Sequence, residues 1–177
     1  INKNFELKKI FNDIDKNLLN TEISGITCNS KKVKKNFLFL AIKGNVDNGN
    51  NYIKEAKKNG SSLILSSEIK GLNIINLPKV NLSIIYSLLC SVFYEKKPAN
   101  IIGVTGTNGK TSVVEFCRQI WNLAGWKSAS MGTLGTKISG EISYHSETEN
   151  LTTYDPSLLH KELFHLHNID VSHLSME

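Results

Sequence analysis

The segment Gly103–Thr111, with the sequence GVTGTNGKT, constrains this chain more than any other part of it. It lies between a short apolar run at residues 101–104 and a stretch from about Thr111 in which apolar residues recur at helical spacing. Glycines let the backbone turn so that successive amide groups face one concavity, and a following helix adds the positive end of its dipole. A strand, a glycine-rich turn and a helix in this order predict a phosphate-binding loop in an α/β domain.

Two side chains at the end of this segment have the chemistry that a polyphosphate requires. Lys110 is expected to reach the terminal phosphates as the catalytic cation, and the Thr111 hydroxyl is expected to bind Mg²⁺. The predicted phosphate-binding residues are Gly106, Thr107, Asn108, Gly109, Lys110, Thr111 and Ser112. The common G-x-x-x-x-G-K-[ST] spacing is not met, because its first glycine falls on Val104. The alternatives at this point are a glycine turn with an incidental lysine, and a P-loop kinase or GTPase.

Strand and helix patterns alternate along the first half of the chain. Apolar runs at 37–42 and 62–66 flank a helical stretch that ends at Gly60, and an amphipathic helix is predicted from Asn81. Pro98 cannot continue that helix, so we place a domain boundary there. The predicted domains are residues 1–97 and residues 98–177.

The second domain is predicted to be a parallel sheet with helices. After the loop, a helix from about Thr111 to Gly125 is expected to bury one apolar side, made of Val113, Val114, Phe116, Cys117, Ile120 and Trp121. Residues 128–134 and 170–176 are predicted strands, and residues 156–167 a helix. Because parallel strands need crossover helices, a chain that stops directly after a strand predicts a truncated domain.

Composition excludes several classes of protein. With 177 residues, 40% hydrophobic and 21% charged, the chain is neither a disordered tail nor a bare coiled coil. Its net charge of +5 favours a polyanionic partner, but the lysine run at residues 31–35 lacks interleaved aromatics, so we expect no nucleic acid. No apolar stretch is long enough for a membrane span, and the three cysteines lie far apart. We therefore expect a cytoplasmic monomer without membrane insertion.

The loop GVTGTNGKT resembles the ATP loop of the Mur ligase family, in which Asn108 and the shifted glycines are usual. Residues 29–53 are similar to that family's D-S-R…G-D-L-F-V-A…G…D-G…F/Y-I block. Residues 151–156 (LTTYDP) resemble its T-T-P-D-P substrate loop, and residues 173–177 (HLSME) the start of its M-E-[VA]-S-S-H strand end. The chain departs from these patterns at Asn29, Lys31, Asn36, Phe37, Asn48 and Tyr154.

The resemblance implies a ligase that uses ATP and Mg²⁺ to join an amino acid to a carboxylate through an acyl phosphate. The block at residues 29–53 implies UDP-N-acetylmuramoyl-L-alanyl-D-glutamate as the substrate, with meso-diaminopimelate or lysine as the amino acid. It also implies a small N-terminal UDP-binding α/β domain, followed by the start of the ATPase domain, and Glu177 as a second Mg²⁺ ligand. The residues that it assigns to the UDP-substrate are Cys28, Ser30, Asn45, Val46, Asp47, Asn150, Thr152 and Thr153.

Each of these assignments has a plainer alternative. Ser30 alone is typical of a turn or helix cap, the Thr152–Thr153 pair of a strand or turn, and Glu177 of an exposed terminus. For the whole chain, the alternatives are another Mur or folylpolyglutamate-type ligase and a UDP-sugar-binding module without catalysis. Since the resemblance covers only the first part of such an enzyme, we expect this chain alone to be inactive.

Overall fold

The computed structural model describes residues 5–44, 47–140 and 154–177. The chain divides into two compact units, Ile1–Phe93 and Tyr94–Glu177. None of the helices in these described ranges is long and apolar enough to cross a lipid bilayer.

The first unit is built on a four-stranded parallel sheet with the strand order β1-β2-β3-β4. The strands are β1 (Gly25–Thr27), β2 (Phe37–Ala41), β3 (Ser61–Ser66) and β4 (Ile74–Asn76). Side chains alternate between the two faces of a strand, and in β2 both faces are apolar. Leu38 and Leu40 join one buried cluster, while Phe39 and Ala41 join another. The sheet is thus covered on both sides, as parallel sheets usually are.

Four helices lie in the described part of this unit. They are α1 (Phe5–Ile10), α2 (Lys16–Leu19), α3 (Ile53–Lys58) and α4 (Leu82–Phe93), with short 3₁₀ turns at Ser30–Lys32 and Gly49–Tyr52. Gly60 follows α3 at a φ of +104°, a conformation that glycine adopts without strain. The strands predicted at 37–42 and 62–66, the helix that ends before Gly60 and the helix from Asn81 are confirmed.

The second unit has a sheet with the strand order β5-β8-β6-β7. Its strands are β5 (Asn100–Gly103), β6 (Ser128–Gly132), β7 (Gly135–Ile138) and β8 (His173–Met176), and its helices are α5 (Lys110–Leu123) and α6 (Pro156–Asn168). All strand pairs are parallel except β6 with β7. The predicted α/β architecture is confirmed, but the strand predicted at 128–134 ends at Gly132 and turns back into β7.

The predicted buried side of α5 is wrong. Val114 is buried at 3% exposure, whereas Val113, Phe116 and Ile120 are 45%, 60% and 62% exposed, and Cys117 and Trp121 are only partly buried. The cause is the face of the sheet beneath the helix, which carries buried hydroxyl groups. The Ser128 hydroxyl donates to the Arg118 carbonyl of the helix, and the Ser175 hydroxyl donates to the Val114 carbonyl. The Ser130 hydroxyl donates to the Glu115 carboxylate. The polar side of α5 therefore faces the sheet.

Candidate functional site

The glycine-rich loop starts at the carboxyl end of β5 and leads into the first turn of α5. Gly106 and Gly109 have φ values of +151° and +77°, in the region that favours glycine. A Cβ added at Gly103 or Gly109 would meet no atom within 4 Å, so open space surrounds the loop there. Gly109 caps α5 without a side-chain hydrogen bond, and the first amide groups of a helix lack partners within the helix. This is the geometry that binds an anion at a helix N-terminus.

Lys110 lies against this loop. Its Nζ donates a hydrogen bond to the Gly106 carbonyl at 2.8 Å, which keeps the ammonium group beside the glycines. The ammonium group and the unpaired amides at the start of α5 supply positive charge on the same side of the helix end. The role of the loop residues 106–112 in ATP binding stays a prediction.

Thr111 and Glu177, which the sequence assigns to one Mg²⁺ ion, lie in direct contact. The Thr111 hydroxyl is 3.1 Å from both Glu177 carboxylate oxygens. Because β8 lies beside β5 in the sheet, its carboxyl end brings Glu177 next to the start of the loop, where the Val104 amide donates to the Met176 carbonyl at 2.8 Å. A hydroxyl and a carboxylate are the hard oxygen ligands that Mg²⁺ prefers, so the donor set fits the ion. Among the described residues, no group of three or more His, Cys, Asp and Glu side chains offers another metal site.

The Glu177 carboxylate is held in its charged form. Partial burial raises its pKa, but hydrogen bonds from Thr133 and Thr111 and the charge of Lys110 outweigh this effect and leave the pKa below its ordinary value. The group is therefore an anion at neutral pH.

Thr133 is a residue of this corner that the sequence reasoning missed. It lies in the turn between β6 and β7, where its amide and its hydroxyl both donate to Glu177 Oε1, at 2.7 and 2.9 Å. The glycines at positions 132 and 135 were the sequence signal for a tight turn here. In the structure Gly135 has a φ of +75°.

A second missed residue is Glu115, one helical turn beyond Thr111. Its carboxylate pairs with Arg118 and accepts hydrogen bonds from Gln119 and Ser130. The Arg118 hydrogen bond is the main cause that lowers the pKa of Glu115 to about 2. Thr111, Glu115, Ser130 and Glu177 line one small cleft.

Three of the residues predicted to bind the UDP-substrate follow the carboxyl ends of strands in the first unit's sheet. Cys28 follows β1 directly, Ser30 begins the next 3₁₀ turn, and Asp47 lies beyond the end of β2. Since β1 and β2 are parallel neighbours, these strand ends share one edge of the sheet, where ligands of open α/β sheets gather. Asn45, Val46, Asn150, Thr152 and Thr153 lie outside the described residues. The substrate role of all eight residues stays a prediction.

The polar side chains at this edge already contact one another. Ser30 is 6% exposed and its hydroxyl donates to Glu55 Oε2 at 2.5 Å, while the Asp47 carboxylate accepts from the Tyr52 hydroxyl. Glu68, which the sequence reasoning also missed, follows β3 and accepts from Asn50 Nδ2 at 3.0 Å. Any ligand at this edge meets a side-chain network rather than open backbone.

Comparison with known proteins gives one consistent result. The model of the Mur ligase family, catalytic domain, matches residues 22–103, and the model of the Mur ligase middle domain matches residues 104–177. A curated UDP-N-acetylmuramoyl-L-alanyl-D-glutamate--2,6-diaminopimelate ligase from Rickettsia conorii is 38% identical over 136 residues, which cover 75% of this chain and 28% of the relative. The ligase of the same name from Caulobacter vibrioides is 37% identical over 159 residues, with 88% and 33% covered. The chain spans 28–33% of the length of these relatives.

Solved structures agree at the level of the fold. A structure of a UDP-N-acetylmuramoyl-L-alanyl-D-glutamate--2,6-diaminopimelate ligase matches with a TM-score of 0.69 and 24% identity, over 88% of this chain and 31% of that one. The MurF ligase from Thermotoga maritima in complex with ADP matches with a TM-score of 0.51 and 21% identity, over 92% and 33%.

Proposed function

This chain belongs to the Mur ligase family, and from that premise we propose that it is part of an ATP-dependent ligase of peptidoglycan precursor synthesis. The proposed reaction adds an amino acid to UDP-N-acetylmuramoyl-L-alanyl-D-glutamate. Of the two amino acids that the resemblance leaves open, we propose 2,6-diaminopimelate, because the similar ligases from R. conorii and C. vibrioides carry it in their names.

The observation that carries this proposal is the contact of Thr111 with Glu177 at the mouth of the glycine loop. The loop amides and Lys110 would hold the ATP phosphates in line with the D-glutamyl γ-carboxylate. That carboxylate attacks the γ-phosphorus and ADP leaves, which gives an acyl phosphate; the amine of the amino acid then attacks the acyl carbon and phosphate leaves. Mg²⁺ bound by Thr111 and Glu177 would offset negative charge on the phosphates. Phosphoryl transfer depends mostly on such positioning and charge neutralisation.

We propose that residues 1–97 hold the uridine diphosphate part of the substrate and that residues 98–177 contribute the ATP site. The position of Cys28, Ser30 and Asp47 after the carboxyl ends of the neighbouring strands β1 and β2 supports the first assignment. The proposal includes a monomer in the cytoplasm that binds neither nucleic acid nor a membrane.

The test is phosphate release by the full-length protein that contains this chain. We expect release from ATP only when both UDP-N-acetylmuramoyl-L-alanyl-D-glutamate and 2,6-diaminopimelate are present. Turnover with lysine in place of 2,6-diaminopimelate would change only the proposed identity of the added amino acid. Phosphate transfer that does not require the UDP-substrate would contradict the proposal and favour a P-loop kinase or GTPase.

A further inference from the structure

One peptide group of the second unit is hydrogen-bonded on both sides. Its N–H belongs to Thr133 and donates to Glu177 Oε1 at 2.7 Å, and its C=O belongs to Gly132 and accepts from the Tyr154 hydroxyl at 3.1 Å. Because a peptide group is planar and rigid, these two hydrogen bonds cannot be adjusted independently. Tyr154 and Glu177 are thereby connected through the Gly132–Thr133 peptide.

The Glu177 end of this connection is tightly fixed. A Cβ added at Gly132 would lie 2.1 Å from Glu177 Oε1, so the carboxylate rests against the glycine itself. The Thr133 hydroxyl donates to the same oxygen at 2.9 Å, and the Glu177 amide donates to the Met131 carbonyl at 3.1 Å. A rotation of the Gly132–Thr133 peptide would move the carboxylate away from Thr111.

The Tyr154 end is fixed as well. Its ring packs against the apolar cluster between α6 and the sheet, and the next residue, Asp155, caps α6 by accepting from the Ser157 amide at 2.9 Å. Tyr154 also directly follows Thr152 and Thr153, which are predicted to contact the substrate. The resembling family pattern has proline at this position, and proline has no hydroxyl to donate.

We propose that Tyr154 is a positioning residue for Glu177, and that its hydroxyl holds the Gly132–Thr133 peptide in the orientation from which the Thr133 amide donates to the carboxylate. This inference rests on the proposed function, since it concerns the same cation. A hydrogen bond accepted by the Gly132 carbonyl polarises the peptide and strengthens the Thr133 amide as a donor to the carboxylate.

The experiment measures Mn²⁺ binding to the 177-residue chain by electron paramagnetic resonance at saturating ATP. Tyr154→Phe keeps the ring and removes only the hydroxyl; we expect the Mn²⁺ dissociation constant to rise about twofold, because the less polarised Thr133 amide loses a fraction of its hydrogen bond to Glu177. ATP binding without metal should not change, and the melting temperature should fall only by the few degrees that one lost hydrogen bond costs. The Thr133 amide proton should move upfield in the NMR spectrum with Mg²⁺ absent. Tyr94→Phe, the same chemical change elsewhere in this unit, is the control and should leave Mn²⁺ binding unchanged.

A further variant separates this inference from the proposed function. If Glu177→Gln weakens Mn²⁺ binding while Tyr154→Phe leaves it and the Thr133 amide shift unchanged, the role of Tyr154 is overturned and the metal site stands. If Glu177→Gln also has no effect, the metal site of the proposed function fails. Should Tyr154→Phe not fold, Tyr154→Met removes the hydroxyl with a side chain that adapts to the core.

Discussion

Both units carry polar residues at the carboxyl ends of parallel strands, but the two units use them differently. In the first unit, side chains beyond the strands bind one another, as Ser30 does with Glu55 and Asn50 with Glu68. In the second unit, glycine backbone and Lys110 surround open space. A phosphate can therefore approach the amides of the glycine loop without breaking a side-chain pair, and only the cation would replace the hydrogen bond between Thr111 and Glu177. A ligand of the first unit must compete with the existing side-chain pairs. The backbone of the predicted phosphate site is preorganised, and the side chains at the predicted uridine edge are not.

The sheets also differ in the faces that they bury. Strand β2 of the first unit sends apolar side chains into clusters on both faces. Strands β6 and β8 of the second unit send Ala129, Met131 and Leu174 to an apolar cluster on the α6 side and buried serines to α5. Packing should dominate stability in the first unit, and hydrogen bonds should contribute more in the second.

The largest effect is expected from Phe39→Ala in the first unit. Phe39 is fully buried, and loss of such a ring costs about 3–5 kcal/mol of unfolding free energy. Ser175→Ala, at a fully buried position of the second unit, should cost only about 1 kcal/mol through its hydrogen bond to the Val114 carbonyl. Urea titrations measure the loss of unfolding free energy in both variants. Tryptophan fluorescence reports on the second unit, which contains Trp121 and Trp126, and circular dichroism reports on the whole chain. Equal losses would contradict the contrast between the two cores.

A pair of glycine substitutions tests the preorganised corner next. Gly132→Ala places a Cβ against the Glu177 carboxylate and should weaken Mg²⁺-dependent ATP binding by about 10- to 100-fold, because it displaces a metal ligand. Gly71→Ala in the first unit places its Cβ at an ordinary 3.5 Å from Ile74 and should bind ATP as the native chain does. Calorimetric titrations with and without Mg²⁺ distinguish the two. Native-like binding of Mg-ATP by Gly132→Ala would contradict the assignment of Glu177 as a ligand of the cation.

The Glu115–Arg118 pair predicts a pH dependence of the second unit. The folded pKa of Glu115 is about 2, below its ordinary value of 4.5, so the charged form stabilises the fold above pH 4.5 and this contribution is lost as the pH falls toward 2. Glu115→Gln should cost about 1 kcal/mol at pH 7, because a partly solvated pair is screened. Tryptophan fluorescence in urea at several pH values checks this. A difference in unfolding free energy between the native chain and Glu115→Gln that grows below pH 4.5 would contradict this prediction.

Ser30→Ala is expected to have the smallest effect on ligand binding. If the Ser30 hydroxyl contacts the UDP-substrate, its loss should weaken binding of UDP-N-acetylmuramoyl-dipeptide by about 1 kcal/mol at most, since the hydroxyl already donates to Glu55. Ser24→Ala is the matched control, because its hydroxyl lies before β1 and donates to the Lys35 carbonyl. Calorimetry compares the two, and equal affinities would exclude Ser30 from the substrate site.

Local sequence signals predicted the strand, loop and helix around residues 103–111, because glycine conformation and helical spacing depend on neighbouring residues. The orientation of α5 was not predicted, since it depends on Ser128 and Ser175 from strands far along the chain. Thr133 was missed for a similar reason. Its contact with Glu177 requires that β8, the last strand in sequence, pairs between β5 and β6.

The central claim is that the glycine loop binds the phosphates of Mg-ATP, and Lys110→Ala tests it most directly. Calorimetric titration of the 177-residue chain at low salt, where charge attraction is least screened, should show binding that falls roughly 10- to 100-fold when the ammonium group is removed. Lys127→Ala, a change of equal charge located before β6, should bind Mg-ATP as the native chain does. If Lys110→Ala binds Mg-ATP as tightly as the native chain, the phosphate site is contradicted, and the proposed ligase chemistry with it.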